Sequence, residues 1–380
     1  SFTYLNIRDI INTVISMYQK FLDDLRKKYN YDDNLINAIK ISIVAMVDTY
    51  GEENINKILN LFYNTRIFST GDMSKESRDK IRKTVLGESN SDIVEDLDNV
   101  YGTNIDPGAF YSYEAIYDEN MDVVGEKRWI VVNDLSGKVN EEGYKKLFDT
   151  SINMPYFLHE LNHAYAMQTP IYEKNNNEIT SKHGMFKNTI KYDISTDNKK
   201  HVKDIDNQGI ITEEMINEMY TQRQLIKILN KSKYEEVENE LNNINHVSTS
   251  YNSLLIMFAN ELENLIGKER LSDYREKNDF SVIKEFNDIV KNSKIAKKYI
   301  GTTDAFEYFS SKCYELFDLS LHKYQMDIDK YKLESYKIMV DVFAPICAYK
   351  EVKYGTSNLE KYENSREEYL GTEEIQHKTK

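Results

Sequence analysis

A chain of 380 residues with 40% hydrophobic and 12% aromatic side chains can bury a large core, and its 14 Gly and 4 Pro leave little material for loops, so long helices are expected. A net charge of −14 argues against a nucleic-acid partner, because binding phosphate requires a basic surface that displaces counterions. The excess of acid is read as a solvated surface and selects no basic partner.

The first segment, about 3–68, reads as helices. YLNIRDIINTVISMYQKFLDDLRKKY, NLINAIKISIVAMVDTY and ENINKILNLFYNTRIF all place apolar residues at helical spacing. STGDMSKESRDK follows as a polar surface connection, with a further break at Gly87 to Asn90. From Tyr101 the texture changes to β: Phe110 to Tyr117 and Trp129 to Val132 are apolar, aromatic runs separated by a polar segment with Gly125, the pattern of a meander or hairpin. Ser151, Asn153 and Pro155 then signal a helix start, and the helix is expected to run to Met167, before Pro170. Residues 170–208 are too long for a plain loop, and a β-hairpin or lid is expected there. Helical periodicity returns at Thr212 and continues to about residue 350, after which a charged tail is expected to fray.

Cys313 and Cys347 lack CxxC spacing and cannot form a disulfide framework, so they read as buried apolar residues. The most apolar stretch, AIKISIVAMV at 38–47, contains Lys40 and falls short of the about 18 apolar residues of a membrane span. The chain begins with Ser1 rather than Met, which reads as a processed or excised start and leaves localisation open; oligomeric state is equally open.

FLHELNHAYA at 157–166 carries the chemistry. His159 and His163, four apart on a helix, can direct their imidazoles at one point, as two ligands of a tetrahedral metal must. Glu160 lies about 100° further round the helix, within reach of a water at the metal without being a ligand. From Asn153 to Thr169 there is no Lys or Arg, which is odd for a surface helix in so charged a chain and marks this one as buried. A third protein ligand is required, and GIITEEMINEMYTQ at 209–222 offers Glu214 and Glu218 on one helix face. Glu213, and His183 and His201 in the intervening segment, are rival donors.

HELNH followed by EMINE resembles the gluzincin, thermolysin-like metallopeptidases, whose pattern is HExxH and then a downstream helix with Glu-x-x-x-Asp or Glu-x-x-x-Glu. The resemblance covers 153–222 and implies that zinc is held by His159, His163 and Glu214. It further implies that Glu218 accepts from the outer ring nitrogen of His159, and that Glu160 is the catalytic base and acid. One departure is that 50 residues, more than in the most familiar members, separate His163 from Glu214, so the 170–208 insertion must loop out and return. Ala166 and Thr169 exclude the metzincin spacing HExxHxxGxxH. In the resembling family a Tyr or His often stabilises the tetrahedral intermediate, and Tyr220, His246, Tyr251 and His322 are candidates for that role. Trp129 to Val132 is expected either as an edge strand on which a peptide pairs or as an ordinary core strand.

The expected architecture is thus α+β and mainly helical. A zincin-like core with a small mixed or antiparallel sheet (101–230) is flanked by N-terminal (1–100) and C-terminal (231–380) helical lobes, the latter closing the cleft. The expected activity is zinc-dependent hydrolysis of a peptide or protein substrate. Two readings compete with it: a catalytically inactive zincin-fold binding or scaffolding protein, and an all-helical interaction protein without metal. Glu160 has no structural duty at a metal, so its presence argues against the first; metal content separates the second.

Overall fold

The computed structural model describes residues 7–87, 108–133, 135, 153–194, 200–229 and 253–378. Over the described residues the chain is α+β and mainly helical, with two small sheets. It divides into two compact units. The first takes the described residues of Ser1–Ser181, Thr189–Asp206 and Tyr220–Ser248, and the second those of Lys182–Asn188, Asn207–Met219 and Thr249–Lys380.

The first unit is built on α1 (Ile7–Tyr29), α2 (Asp33–Tyr50) and α3 (Ile55–Asn64). Helix α2 starts where the Asp32 carboxylate accepts from the backbone N–H of Leu35 at 2.8 Å and stops at Gly51, whose φ of 94° a side chain would resist. Its run from Ile36 to Val47 is buried almost all round, so α2 is the axle of a core that also takes in Ile58, Phe62, Ile130, Phe157 and Leu161.

The expected helical reading through Phe68 is corrected from Thr65 onward. Thr65–Thr70 is a strand, β1, and the Tyr31 hydroxyl accepts from the Ile67 N–H at 2.8 Å. The connection expected at 69–80 is largely helix, α4 (Lys75–Leu86). Ser74 caps it, and the alternating charges that suggested a loop pair one turn apart as Lys75–Asp79 and Glu76–Lys80.

The two predicted strands form a hairpin, β2 (Ala109–Tyr117) against β3 (Val123–Asn133), in antiparallel register with Tyr111 opposite Ile130. Strand β1 pairs parallel on the other side of β3, giving the order β1-β3-β2. Trp129 to Val132 is therefore a central strand, buried throughout, and the edge-strand reading of that stretch is corrected. Ile130 and Val132 pack into the α2 core while Trp129 and Val131 pack with Met73 and Leu86, so both faces of the strand are covered and its apolar run is unbroken. Among the described residues β1 and β2 are the edges of this sheet.

Beyond helix α5 (Asn153–Ala166), the segment expected as a hairpin or lid is a four-stranded sheet. Its strands β4 (Ile171–Asn175), β5 (Glu178–His183), β6 (Phe186–Ile194) and β7 (Lys200–Gln208) lie in chain order. Helix α6 (Ile210–Leu229) follows and is common to the two units, since its residues through Met219 count with the second and those from Tyr220 with the first.

The second unit continues with α7 (Ser253–Ile266), α8 (Lys268–Lys277), α9 (Ser281–Lys291), α10 (Lys294–Tyr299), α11 (Ala305–Leu321) and α12 (Ile328–Tyr354). Its interior is aromatic, with Phe286 stacked on Tyr349 and Phe258 edge-on to Phe343. The tail expected to fray is mostly helix, α13 (Leu359–Lys378), anchored by buried Leu359 and by Tyr362 stacked on Phe343. Cys313 and Cys347 are buried free thiols, and burial raises the pKa of both. Among the described residues no helix is long and apolar enough to cross a membrane.

Candidate metal centre

Helix α5 is buried because its sequence allows nothing else: Phe157, Leu158, Leu161, Ala164 and Tyr165 cover most of its circumference and pack into the α2 core. That burial takes the two histidines out of water as well, leaving His159 8% and His163 5% exposed. Buried imidazoles require partners. Their rings stand edge to face with centroids 4.7 Å apart, and the two Nε2 atoms are 3.1 Å from each other. The helical i, i+4 relation thus turns the same ring nitrogen of both residues toward one point. If each ring kept its proton on Nδ1, two lone pairs would face each other there, and a cation relieves that repulsion.

Glu214 is the residue that could act as a third donor. One ligand atom each from His159, His163 and Glu214 lies within 4.8 Å of the others. Two ligands of one tetrahedral zinc, each about 2.0–2.1 Å from the ion, stand about 3.3 Å apart, so the 3.1 Å between the imidazole nitrogens already fits one ion. Two imidazole nitrogens and a carboxylate oxygen are donors that a first-row divalent cation can take.

Glu160, one step round α5, is held by the sheet. Its Oε2 accepts from the backbone N–H of Tyr111 at 2.7 Å. That bond ties the carboxylate to β2, an edge strand, and gives it a fixed position beside the histidines. The sequence offered no sign of this backbone partner.

The rivals for third ligand are placed differently. The Glu213 carboxylate is 1% exposed and engaged in the second unit. It accepts from Arg275 Nε at 3.0 Å and Nη2 at 2.7 Å, and from the Met185 N–H at 2.9 Å. Arg275, also 1% exposed, donates through Nη2 to Asn217 Oδ1 at 2.6 Å. The β5–β6 turn lies against this pair: a Cβ on Gly184, whose φ is +58°, would come within 2.6 Å of Glu213 Oε2. The first turns of α6 are therefore clamped by a buried ion pair on the residue next to Glu214. Lys182 joins the same region, donating to the Tyr274 carbonyl and to Asn278 Oδ1, both at 2.9 Å, with burial pulling its pKa down to about 8. Glu218 and His183 are buried, and the His201 side chain is outside the described residues.

Of the candidates for stabilising the intermediate, Tyr220 is buried with its ring edge-on to Tyr50, and His322 turns Nδ1 to the Asp318 carbonyl of its own helix at 2.7 Å. His246 and Tyr251 lie outside the described residues. Sequence reasoning passed over the Tyr111 amide, Arg275 and Asn162. Only Asn162 left a trace, as a polar residue on the apolar side of a buried helix. Comparison with protein-family models, curated proteins and solved structures found no match.

Proposed function

We propose that this chain is a zinc-dependent peptide hydrolase of gluzincin type, with a zincin-like core formed by α5, α6 and the β1-β3-β2 sheet. The observation that carries the reading is the meeting of His159, His163 and Glu214 ligand atoms within 4.8 Å, with Glu160 fixed alongside by the Tyr111 N–H.

In this reading the two Nε2 atoms and a Glu214 oxygen hold the ion, and Glu218 serves as the acceptor for the outer nitrogen of His159, fixing its tautomer. Zinc held by these residues would supply Lewis-acid polarisation of the scissile carbonyl and would make the attacking water more acidic. The Glu160 carboxylate receives the proton released as water adds to the carbonyl carbon, then delivers it to the departing amine nitrogen. The Tyr111 hydrogen bond occupies one lone-pair direction of Oε2 and so restricts how the carboxylate turns. Strand β2, which fixes Glu160, is also an edge available for an extended substrate in place of the buried β3.

A peptide-library digest with the zinc-loaded protein tests this. Cleavage is expected that a chelator stops and added zinc restores, and His163→Ala should weaken zinc binding by at least about 10-fold. Cleavage indifferent to the chelator would remove the metal from the mechanism.

A further inference from the structure

Asn162 is the polar residue of the HELNH stretch to which neither metal binding nor proton transfer is assigned, and its side chain is fully hydrogen-bonded. Asn162 is completely buried. Its Oδ1 accepts from the Tyr50 hydroxyl at 2.8 Å and from Gln224 Nε2 at 3.0 Å, and its Nδ2 donates to Gln224 Oε1 at 2.8 Å and to Thr221 Oγ1 at 3.0 Å. Both donors and both acceptor directions of the amide are used. Gln224 in turn donates to Thr49 Oγ1 at 3.0 Å. Two side-chain amides therefore pair reciprocally, and hydroxyls from α2 and α6 close the ring around them. Above it, Tyr50 stacks on Tyr165 with centroids 3.8 Å apart.

Such a network is a poor way to gain stability, since well-packed apolar side chains of similar volume do as well or better. What it gives is uniqueness. Leucines slide past one another with small losses, whereas a reciprocal amide pair is satisfied at one axial offset and one rotation. A slip of one residue moves a helix by about 1.5 Å and turns it by about 100°, leaving buried donors and acceptors unpaired. Asn162 is adjacent to His163 on α5. Gln224 shares α6 with Glu214, ten residues or about 15 Å along one rod.

We propose that Asn162 and Gln224 are positioning residues: a register lock between α5 and α6 that sets the offset at which the Glu214 carboxylate meets the two imidazoles. The inference rests on the metal-site reading above.

The test replaces both amides at once by apolar side chains of similar shape, Asn162→Leu with Gln224→Met, because removing both partners avoids stranding one of them. Zinc affinity is read by competition with a chromogenic chelator, ligand geometry by the visible absorption of the cobalt-loaded protein, and folding by Tm. The expected result is a folded protein, with Tm lowered only as far as the Tyr50 and Thr221 hydroxyls lose their amide partner, zinc affinity lower by about 10–100-fold, and a cobalt spectrum altered in intensity and position. A purely structural pair would change Tm and leave the spectrum of the folded fraction untouched. Gln224→Asn, which keeps an amide but withdraws it by one methylene, should shift affinity in the same direction by less, and it serves if the double variant does not fold. Wild-type affinity and spectrum in the folded variant overturn the lock while the metal site stands. Failure of the wild-type protein to bind either metal overturns both, and is seen before any variant is made.

Discussion

Glu160→Gln is expected to lower kcat/KM for peptide cleavage by about 10²–10⁴-fold while zinc content and Tm stay at wild-type values. The expectation follows from what each atom of the side chain does. The Oε2 that accepts from Tyr111 N–H at 2.7 Å needs only a lone pair, and the carboxamide oxygen of Gln supplies one, so β2 and α5 keep their connection. What Gln lacks is a basic oxygen able to take up the proton of the attacking water. The loss should therefore fall on kcat, with KM little changed. Steady-state kinetics on one defined peptide, alongside metal analysis, checks both halves. A variant that still cleaves at the wild-type rate would remove Glu160 from the chemistry. A wild-type protein that binds zinc and cleaves nothing would favour the binding-module reading.

Arg275→Met is expected to have the largest effect on stability, about 3–5 kcal/mol, measured as a lower midpoint in urea unfolding. The substitution keeps much of the side-chain volume and removes the charge. Glu213, 1% exposed, would then lose the Arg275 guanidinium and keep the Met185 N–H and the more distant charge of Lys182. A buried carboxylate stripped of its counter-charge either stays ionised at high cost or takes up a proton. Asn217 also loses a donor to its Oδ1. Pairing Arg275→Met with Glu213→Gln should recover much of the loss, because the stranded charge rather than the missing attraction dominates the penalty. If the single variant unfolds at the wild-type midpoint, the pair is not a clamp on the start of α6.

The parts of this fold legible in the sequence are those whose signal is local. Helix α2 is apolar nearly all round and capped by Asp32, the β2–β3 hairpin has two aromatic runs about a polar turn, and α5 pairs an absence of Lys and Arg with HExxH. The strand at Thr65–Thr70 was lost because its pattern continues the preceding helical one, and its pairing with β3 lies some sixty positions away. Helix α4 was lost because charged residues at i, i+4 look like loop in composition and like helix only in spacing. Of the candidate site, the approach of His159 to His163 was legible from a four-residue spacing, and the nearness of Glu214 was an implication of the resemblance. Arg275 and Gln224 left no sign, since each acquires its role only when distant helices pack.

The central claim is that His159, His163 and Glu214 hold one divalent cation together. Zinc X-ray absorption on protein loaded and then desalted tests it most directly. The expected spectrum is that of one retained zinc per chain with two imidazole nitrogens and carboxylate oxygen at about 2.0–2.1 Å. Zinc lost on desalting, or a shell with fewer than two imidazoles, would contradict it.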